Sequence, residues 1–598
     1  MDQKRFLLWI AMSIGILLVF ELVGRHVAPV PHPVAPAAGL PGSAANPAAP
    51  APGGAGSLAA NPAPAQVDES APRLPIVADA VHGSLNLRGA IFDDLVLTRY
   101  RESLAHDAPD VLLFAPRGAP QPYYAQYGWS AAPGTTVTVP GTNTVWKASA
   151  PRLTPSTPVT LSWDNGAGQT FQLIIAIDRN YMFTVAQRVE NHGSSAVELY
   201  PWARIRRQSP KKPMGDYVLF GQHRAMQNLN SGSYVLFEGM LGVLGGTLHE
   251  QKYQTAAKNG RDHGGVDSQL GSVGGWIGIT DKYWLASLIP DQAAPVTAAF
   301  RGDETNGIET YQVDVTNSQP IVVPVHGDVT QIDHMFAGAK VVHLLQHYQA
   351  RLHIPDFWKA VDFGLFWFLT RPFFAAIDWL YHLTGNFGIA IMIFTVLVKV
   401  VFFPLANRSY RSMAKMRDMQ PKMQAMRERY KDDPAKLQAE MMGIYKKEGV
   451  NPASGCLPML IQIPVFFSLY KVIYVTIAMR QAPFFGWIRD LSAPDPTNVF
   501  NLFGLVPLHL STISPLLHLG IWPLIMGITM YLQQRLNPPP PDPMQARMFQ
   551  LMPVVFTFMM GRFPAGLVIY WTWNNLLTVA QQWYIMRSAG KSAAKPTA

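Results

Sequence analysis

The sequence has few charged residues and almost no cysteine. Only 15% of its 598 residues are Asp, Glu, Lys or Arg, whereas 48% are hydrophobic and concentrate in long runs, as in membrane proteins. Its one cysteine, Cys456, excludes an intramolecular disulfide. P-loop, HExxH and CxxC motifs are also missing. No nucleotide site, metal site or cofactor is therefore predicted.

The net charge of +9 does not indicate a nucleic-acid partner, because its largest local excess lies between two apolar runs. Residues 406–456 contain eleven Lys or Arg against six Asp or Glu. Loops rich in Lys and Arg stay on the cytoplasmic side of a membrane. The charge distribution thus predicts topology, and no specific nucleic-acid binding is expected.

The stretch Asn386–Leu405 is almost entirely apolar but contains one full charge, Lys399. About twenty residues at ~1.5 Å each cross a hydrocarbon core of ~30 Å, which predicts a membrane span. A lysine near the centre of a span costs roughly 2.5–3.5 kcal/mol, and no Asp or Glu within the stretch can pair with it. We expect Lys399 to form a hydrated, positive spot inside the bilayer and to be central to function.

The N-terminal 75 residues predict an anchor and a tether. Residues 1–27 form a charged start followed by an apolar run. An uncleaved anchor span is favoured over a cleaved signal peptide, because no small-x-small site follows the run. Residues 28–75 are mostly Pro, Ala and Gly, which predicts a disordered or partly extended linker.

Residues 76–335 predict a large antiparallel β domain. Alternating runs such as FQLIIAIDRN and YQVDVTN recur between Gly, Pro and Asn. This pattern favours a β sandwich, which lies in the periplasm if the first span leads outward. A structural or partner-docking role is favoured over carbohydrate binding.

Residues 336–385 predict connecting and interfacial amphipathic helices. Phe336–Leu352 has a helical pattern, and the stretch after it mixes aromatic residues with charges. That mixture fits a helix lying in the membrane interface better than a full span, and Pro372 is expected to break it in two.

The rest of the sequence predicts further membrane spans, six in all. Both termini are then expected in the cytoplasm, and the protein is expected in a bacterial inner membrane. The segments are a second span 386–405, a cytoplasmic basic helical hairpin 406–456, a third span 457–479, a periplasmic loop 480–519, a fourth span 520–536, a cytoplasmic loop 537–545, a fifth span 546–562, a sixth span 563–586 and a cytoplasmic tail 587–598.

The hairpin contains a stripe of methionines at helical spacing. Two interpretations remain open: the stripe packs on the second hairpin helix, or it offers an adaptable surface to varied apolar client segments. Its members are Met413, Met416, Met419, Met423 and Met426.

Polar residues of the spans concentrate towards their predicted inner ends. Thr395 lies one turn before Lys399, and Gln462 lies near the inner end of the third span. Asn574, Asn575, Thr578, Gln581 and Gln582 share one stripe of the sixth span. A site that is hydrated from the cytoplasm and sealed outside is one hypothesis; hydrogen bonds that hold the helices together are the alternative.

Several motifs resemble one known family. NFGIAIMIFTVLVKVVFFPL, NPASGCLPMLIQIPVFFSLY and FPAGLVIYWTWNNLLTVAQQW resemble YidC-type membrane protein insertases of Gram-negative bacteria, the YidC/Oxa/Alb family. The resemblance runs from about Asp356 to Met586. It implies a polytopic α-helical membrane protein with a five-helix insertase core, an N-terminal anchor span and a large periplasmic antiparallel β-supersandwich domain.

The resemblance also implies the activity, which is to insert and help fold integral membrane proteins through a positively charged groove open to cytoplasm and lipid. The implied partners are nascent membrane proteins, the lipid bilayer, the Sec translocon (SecYEG with SecDF), and the ribosome or signal-recognition machinery. Such a protein is not an enzyme. The implied groove residues are Lys399, where most relatives have Arg, together with Thr395, Gln462, Trp571, Asn574 and Asn575.

Two other function classes compete with this interpretation. A transporter or channel for a small anion should show inverted repeats and paired broken helices, which the sequence does not show. A membrane-anchored carbohydrate-processing enzyme should carry paired carboxylates at a pocket of the β domain.

Overall fold

The structure is a computed structural model that describes residues 71–213, 215–219, 222–229, 236–430, 433–447, 457–500, 519–537 and 543–593. The predicted anchor span and nearly all of the predicted linker lie outside the described residues. So do Cys456, residues 501–518 of the predicted periplasmic loop, and residues 594–598 of the predicted tail.

The N-terminal half of the described chain is built of antiparallel strands. The strands are β1 Arg73–Val77, β2 Val81–Asn86, β3 Ile91–Arg101, β4 Asp110–Phe114, β5 Tyr123–Ala131, β6 Lys147–Ala148, β7 Val159–Asp164, β8 Gln169–Ile177, β9 Met182–Asn191, β10 Val197–Pro210, β11 Asp216–Leu219, β12 Gln222–Ala225, β13 Gly239–Leu244, β14 Thr247–Lys252, β15 Val266–Val273, β16 Trp276–Thr280, β17 Trp284–Ile289, β18 Pro295–Thr305, β19 Ile308–Asn317, β20 Ile321–Val323 and β21 Gly327–Ala339.

These strands form two large sheets and one small one within the described residues. The ten-stranded sheet has the order β1-β2-β3-β5-β10-β19-β18-β15, with β4 beside β3 and β20 beside β10. The nine-stranded sheet has the order β14-β13-β16-β17-β21-β9-β8-β7-β6, and β11 pairs with β12. Two layers of antiparallel strands followed by helices confirm the predicted fold class.

The core of the β domain lies between the two large sheets, and the period-two pattern determines which side chains reach it. In β8, Phe171, Leu173 and Ile175 are fully buried while the residues between them are half-buried. Phe171 meets Trp129 of the opposite sheet with ring centroids 5.2 Å apart. Burial of such large side chains on both inner faces stabilises the sandwich.

The helical prediction for Phe336–Leu352 is wrong at its start. β21 continues to Ala339 and pairs with β17, where Trp284 lies opposite Ala339. Met335, Phe336 and Ala337 are fully buried by this pairing, and the apolar run that suggested a helix is a central strand. The helix begins only at Val342.

The C-terminal half of the described chain is helical. After α1 Tyr253–Asp262 in the β domain, the helices are α2 Val342–Leu352, α3 Trp367–Thr384, α4 Phe387–Val401, α5 Phe403–Asp418, α6 Gln420–Arg429, α7 Pro434–Lys447, α8 Leu457–Val475, α9 Ile521–Leu536, α10 Pro543–Met560 and α11 Ala565–Ala593, with short 3-10 helices at Phe357–Ala360 and Ile477–Met479. Helix α11 continues seven residues beyond 586, where the sixth span was predicted to end.

Pro372 does not break the interfacial segment, contrary to the prediction. It lies inside the continuous helix α3, near the N-terminal end. A proline there removes one backbone hydrogen bond, which the remaining turns tolerate. Trp379 and Leu383 of α3 are well exposed, so the helix presents apolar side chains outward. Its position in the membrane interface remains a prediction.

The predicted second span bends at Phe402. Helix α4 ends at Val401, and α5 starts with Pro404 in its first turn, where a proline's missing N–H costs least. Among the described residues, no single helix is long and apolar enough to cross a membrane alone, whereas α4 and α5 satisfy that criterion together with a bend of 68°.

The first helix of the predicted hairpin is also interrupted. Helix α5 ends at Asp418, Met419 links it to α6, and Pro421 lies in the first turn of α6. Met413 and Met416 therefore belong to α5, and Met423 and Met426 to α6. Met419 is buried and the other four are half-buried.

Candidate functional site

The helices of the C-terminal half line a cavity of about 510 Å³. Residues of α4, α5, α8, α9, α10 and α11 line it. All six predicted groove residues are among them: Thr395, Lys399, Gln462, Trp571, Asn574 and Asn575. Side chains from distant parts of the sequence therefore meet in one space large enough to accept part of another molecule.

Lys399 is the charged residue of this cavity. Its Nζ donates a hydrogen bond to Thr578 Oγ1 at 2.7 Å. No carboxylate among the described residues lies within ion-pair distance of Lys399. An ammonium group has three donors, and one hydroxyl acceptor satisfies only one of them. The geometry leaves capacity for an anionic or carbonyl partner inside the cavity.

Lys399 and Thr578 lie at similar distances from the starts of their helices. Lys399 is twelve residues after Phe387 in α4, and Thr578 is thirteen after Ala565 in α11. At ~1.5 Å per residue, both lie roughly 18–20 Å along the helix axis. The charge therefore lies at about the depth of Thr578, in the last turn of α4.

Three other predicted residues make interhelical or intrahelical hydrogen bonds. Gln462 Nε2 donates to Tyr570 Oη at 2.7 Å, and Asn575 Nδ2 donates to Thr529 Oγ1 at 3.2 Å. Thr395 Oγ1 donates to the carbonyl of Ile391 at 2.7 Å, which satisfies the hydroxyl within its own helix. Polar side chains of this bundle thus bridge helices as well as lining the cavity, so both sequence-based hypotheses retain support.

Trp571 forms an aromatic wall of the cavity. Its ring packs edge-on against Phe466 of α8 at 4.7 Å and against Phe556 of α10 at 5.6 Å between centroids. Aromatic contacts of this kind fix the ring orientation. Asn574, one residue on, is buried, and its carbonyl accepts a hydrogen bond from Thr578 Oγ1.

The methionine stripe lies mostly apart from the cavity. Met413 lines it, together with Tyr410 of the same helix. Met416, Met419, Met423 and Met426 do not appear in its lining. The structure therefore connects only the first methionine with the predicted groove residues.

Sequence reasoning missed the contribution of α9 to the cavity. Met530, Gln533 and Gln534 of this helix line it, with Asn537 just beyond the C-terminal end. These residues lie in the last turns of the predicted fourth span, and their polar face was a usable signal. The pairing of Lys399 with Thr578 carried no local signal, because the two residues are 179 positions apart.

Lys471 of α8 forms an ion pair with Asp362. Its Nζ lies 2.6 Å from Asp362 Oδ2, and the Lys471 side chain is only 14% exposed. Asp362 also accepts a hydrogen bond from the backbone N–H of Phe237 at 3.1 Å. This carboxylate therefore joins the β domain to helix α8.

The outward surface of the same helices is apolar. The exposed side chains include Leu397, Val400 and Val401 of α4, Ile528 and Leu532 of α9, and Met548, Leu551, Val554 and Val555 of α10. A water-soluble protein rarely exposes so many large apolar side chains on a few helices. The bundle therefore combines an apolar exterior with a polar cavity.

The described residues contain no group of three or more His, Cys, Asp or Glu placed to hold a metal ion. The chemistry offered by the cavity is that of one ammonium group, several carboxamides and hydroxyls, and aromatic rings. Such groups can bind and orient a polar segment.

Comparison with known proteins gives consistent results for both halves of the chain. Residues 73–376 match the family model described as YidC periplasmic domain, and residues 379–592 match 60Kd inner membrane protein. A membrane protein insertase YidC from Granulibacter bethesdensis is 55% identical over 587 residues, which is 98% of each chain. One from Acidiphilium cryptum is 51% identical and covers 99% of this chain and 98% of its own.

Proposed function

Since the chain belongs to the family of YidC membrane protein insertases, we propose that its cavity receives the polar segment of a membrane protein during insertion and that Lys399 attracts acidic residues of that segment. The protein is an inner-membrane insertase with a periplasmic domain, and it is not an enzyme. Its substrates are nascent membrane proteins. The family assignment selects insertion over the transporter and the carbohydrate-processing enzyme.

The observation that carries the proposal is the unpaired charge of Lys399 in the cavity. Its ammonium group contacts one neutral hydroxyl, Thr578 Oγ1. At an effective dielectric constant of 20, a carboxylate ~4 Å away would gain about 4 kcal/mol. The cavity thus lowers the cost of bringing a short acidic segment into the membrane.

The driving force for release is the partition of the client's apolar segment into lipid. Each buried CH₂ contributes about 0.8 kcal/mol, so a span of twenty apolar residues outweighs the loss of contacts in the cavity. Exposed apolar side chains beside the cavity, such as Ile463 and Phe467 of α8, offer a path from cavity to lipid. No covalent bond changes in this mechanism.

The proposed topology has six spans and both termini in the cytoplasm. The basic composition of 406–456 supports a cytoplasmic hairpin, and the apolar exterior of α4, α9 and α10 supports their contact with lipid. The hairpin methionines are proposed to contact clients, with Met413 at the cavity. The further partners proposed, on family resemblance alone, are the Sec translocon (SecYEG with SecDF) and the ribosome or signal-recognition machinery.

The test replaces Lys399 by Ala, Glu and Arg in a strain depleted of its own insertase and follows insertion of a small single-span client with an acidic outgoing tail. We expect Arg to support insertion and Ala and Glu to fail, since only Arg keeps the positive charge. Lys258→Arg, a change at an exposed lysine of the β domain, serves as the expression control. Insertion by the Ala variant at the wild-type rate would contradict the proposal.

A further inference from the structure

Two neighbouring carboxamides at one end of the cavity have polar atoms without partners. Gln581 Nε2 and Gln582 Oε1 are shielded from solvent and make no hydrogen bond to any described residue. Gln582 is 3% exposed, and both side chains line the cavity. Buried polar groups in proteins are nearly always hydrogen-bonded, so two orphans side by side indicate a missing partner.

The carboxamides form a layer separate from Lys399. Gln581 and Gln582 lie three and four residues beyond Thr578 on α11, which is roughly 5–6 Å further along the helix. Gln533, Gln534 and Asn537 line the cavity near them. Gln582 Nε2 donates to Asn537 Oδ1 at 2.8 Å, which fixes the amide plane and leaves its oxygen free. This layer has no formal charge.

The free atoms match one chemical group. Gln581 supplies an N–H donor and Gln582 a carbonyl acceptor. A peptide unit of an unfolded segment presents one acceptor and one donor, and both need partners once the segment leaves water. The chemistry of the pair therefore complements the main chain, which every client has, and not any particular side chain.

We propose that Gln581 and Gln582 form a second subsite that binds main-chain amide groups of the client's translocating segment, whatever the charge of that segment. The inference rests on the proposed function and refines it, since Lys399 selects for acidic side chains and the carboxamide subsite holds the backbone. Gln581 donates to a client carbonyl, and Gln582 accepts from a client N–H.

The experiment uses the full chain in proteoliposomes and single-span clients whose tails have equal length. One tail is Gly/Ser-rich, a second carries Asp residues, and a third is Pro-rich and so lacks most N–H donors. Gln581→Met should lower insertion of all three about fivefold. Gln582→Met should lower the first two about fivefold and leave the Pro-rich client unchanged relative to wild type.

Gln550→Met is the matched control, because Gln550 of α10 is exposed and does not line the cavity. Thermal unfolding of each variant separates binding from stability. Gln581→Met should unfold close to the wild-type temperature, since it removes the buried and unpartnered Nε2. Gln582→Met also removes the hydrogen bond to Asn537 Oδ1. If this loss lowers the unfolding temperature, the proposal is judged on the insertion data for Gln581→Met alone.

Two results would overturn the subsite: wild-type insertion of the Gly/Ser client by Gln581→Met, or a loss confined to the acidic client. Failure of the proposed function would look different. In that case Lys399→Ala would insert the acidic client normally, while the effect of Gln581→Met on all three tails would persist.

Discussion

Two lysines of this chain each donate a hydrogen bond to a threonine hydroxyl, but the surroundings of the two side chains differ. Lys340, at the end of the β domain, donates to Thr280 Oγ1 at 3.0 Å, and Lys399 donates to Thr578 Oγ1 at 2.7 Å. Lys340 is 2% exposed and lies near the carboxylates of Asp281, Asp362 and Glu238. Lys399 lines a 510 Å³ cavity without a described carboxylate at ion-pair distance.

The difference shows that surroundings, and not the nearest hydrogen bond, decide what a buried charge can do. Lys340 is 2% exposed and already has acidic neighbours, so its charge is not available to a partner. Lys399 has space beside it and no balancing charge, so an incoming carboxylate gains the whole interaction. A third lysine, Lys471, is directly paired with Asp362 and completes the series.

The largest effect should come from reversing the charge of Lys399 together with that of the client. Lys399→Glu should reduce insertion of an acidic-tailed client to background and restore a basic-tailed client that the wild type inserts poorly. The sign of the interaction changes in both cases. Insertion assays with the two clients measure the switch; Lys340→Met should not produce it. If Lys399→Glu inserted both clients equally well, the charge of Lys399 would be no more available to a client than that of Lys340.

Lys399 could be predicted as a candidate site residue because its signal is local. A charge within twenty apolar residues is visible without knowing any contact, and the polar stripe of α11 is visible from its helical period. The contacts made by these residues are not local. The partner of Lys399 lies 179 positions away and that of Lys471 lies 109 away, so neither pair could be derived from spacing.

The errors in the fold have local physical causes. The apolar end of β21 satisfied a helical pattern because a central strand is buried on both faces, which hides the period of two. Pro372 did not end a helix because it lies near its start, whereas Pro404 and Pro421 each lie in the first turn of a new helix. The position of each proline within its helix determines whether the helix continues or a new one begins. The sequence alone left these positions open.

Removing the charge of Lys340 should stabilise the protein. Burial lowers the pKa of Lys340 from 10.5 to about 8. The unfolded chain therefore binds this proton more tightly than the folded protein does. As a result, the stability of the wild type rises as the pH increases from about 8 to 10.5. Below pH 8 the full penalty applies, which at 1.36 kcal/mol per pKa unit is about 3 kcal/mol. Lys340→Met should recover most of it at pH 7, because Thr280 Oγ1 also donates to backbone carbonyls.

Thermal unfolding of the full chain between pH 7 and 9.5 measures this effect. The advantage of Lys340→Met should shrink as the pH rises, and insertion should stay at the wild-type level. A constant difference across this range would show that packing, and not the charge of Lys340, determines the change.

Breaking the ion pair of Lys471 should have an intermediate effect of the opposite sign. Asp362→Ala leaves the ammonium of Lys471 in a site that is only 14% exposed, and it also removes the acceptor for Phe237 N–H. We expect a loss of about 2 kcal/mol in the free energy of unfolding, because one partner of a largely buried pair stays behind. The double variant Asp362→Leu/Lys471→Leu should recover part of it in denaturation measurements. An Asp362→Ala variant as stable as wild type would mean that the remaining contacts of Lys471, or water, satisfy its ammonium group.

The smallest effect should come from the hydroxyl that Lys399 contacts. Thr578→Val keeps the shape of the side chain and removes the acceptor at 2.7 Å from Lys399 Nζ. If that bond only holds the ammonium in position until a client carboxylate replaces it, insertion of the acidic client should fall by no more than about fivefold, which corresponds to the ~1 kcal/mol of one hydrogen bond. Thr280→Val, the equivalent change beside Lys340, should leave insertion unchanged. A loss as large as that of Lys399→Ala would show that Thr578 is itself part of the binding site, and that the two lysines differ in their immediate partner after all.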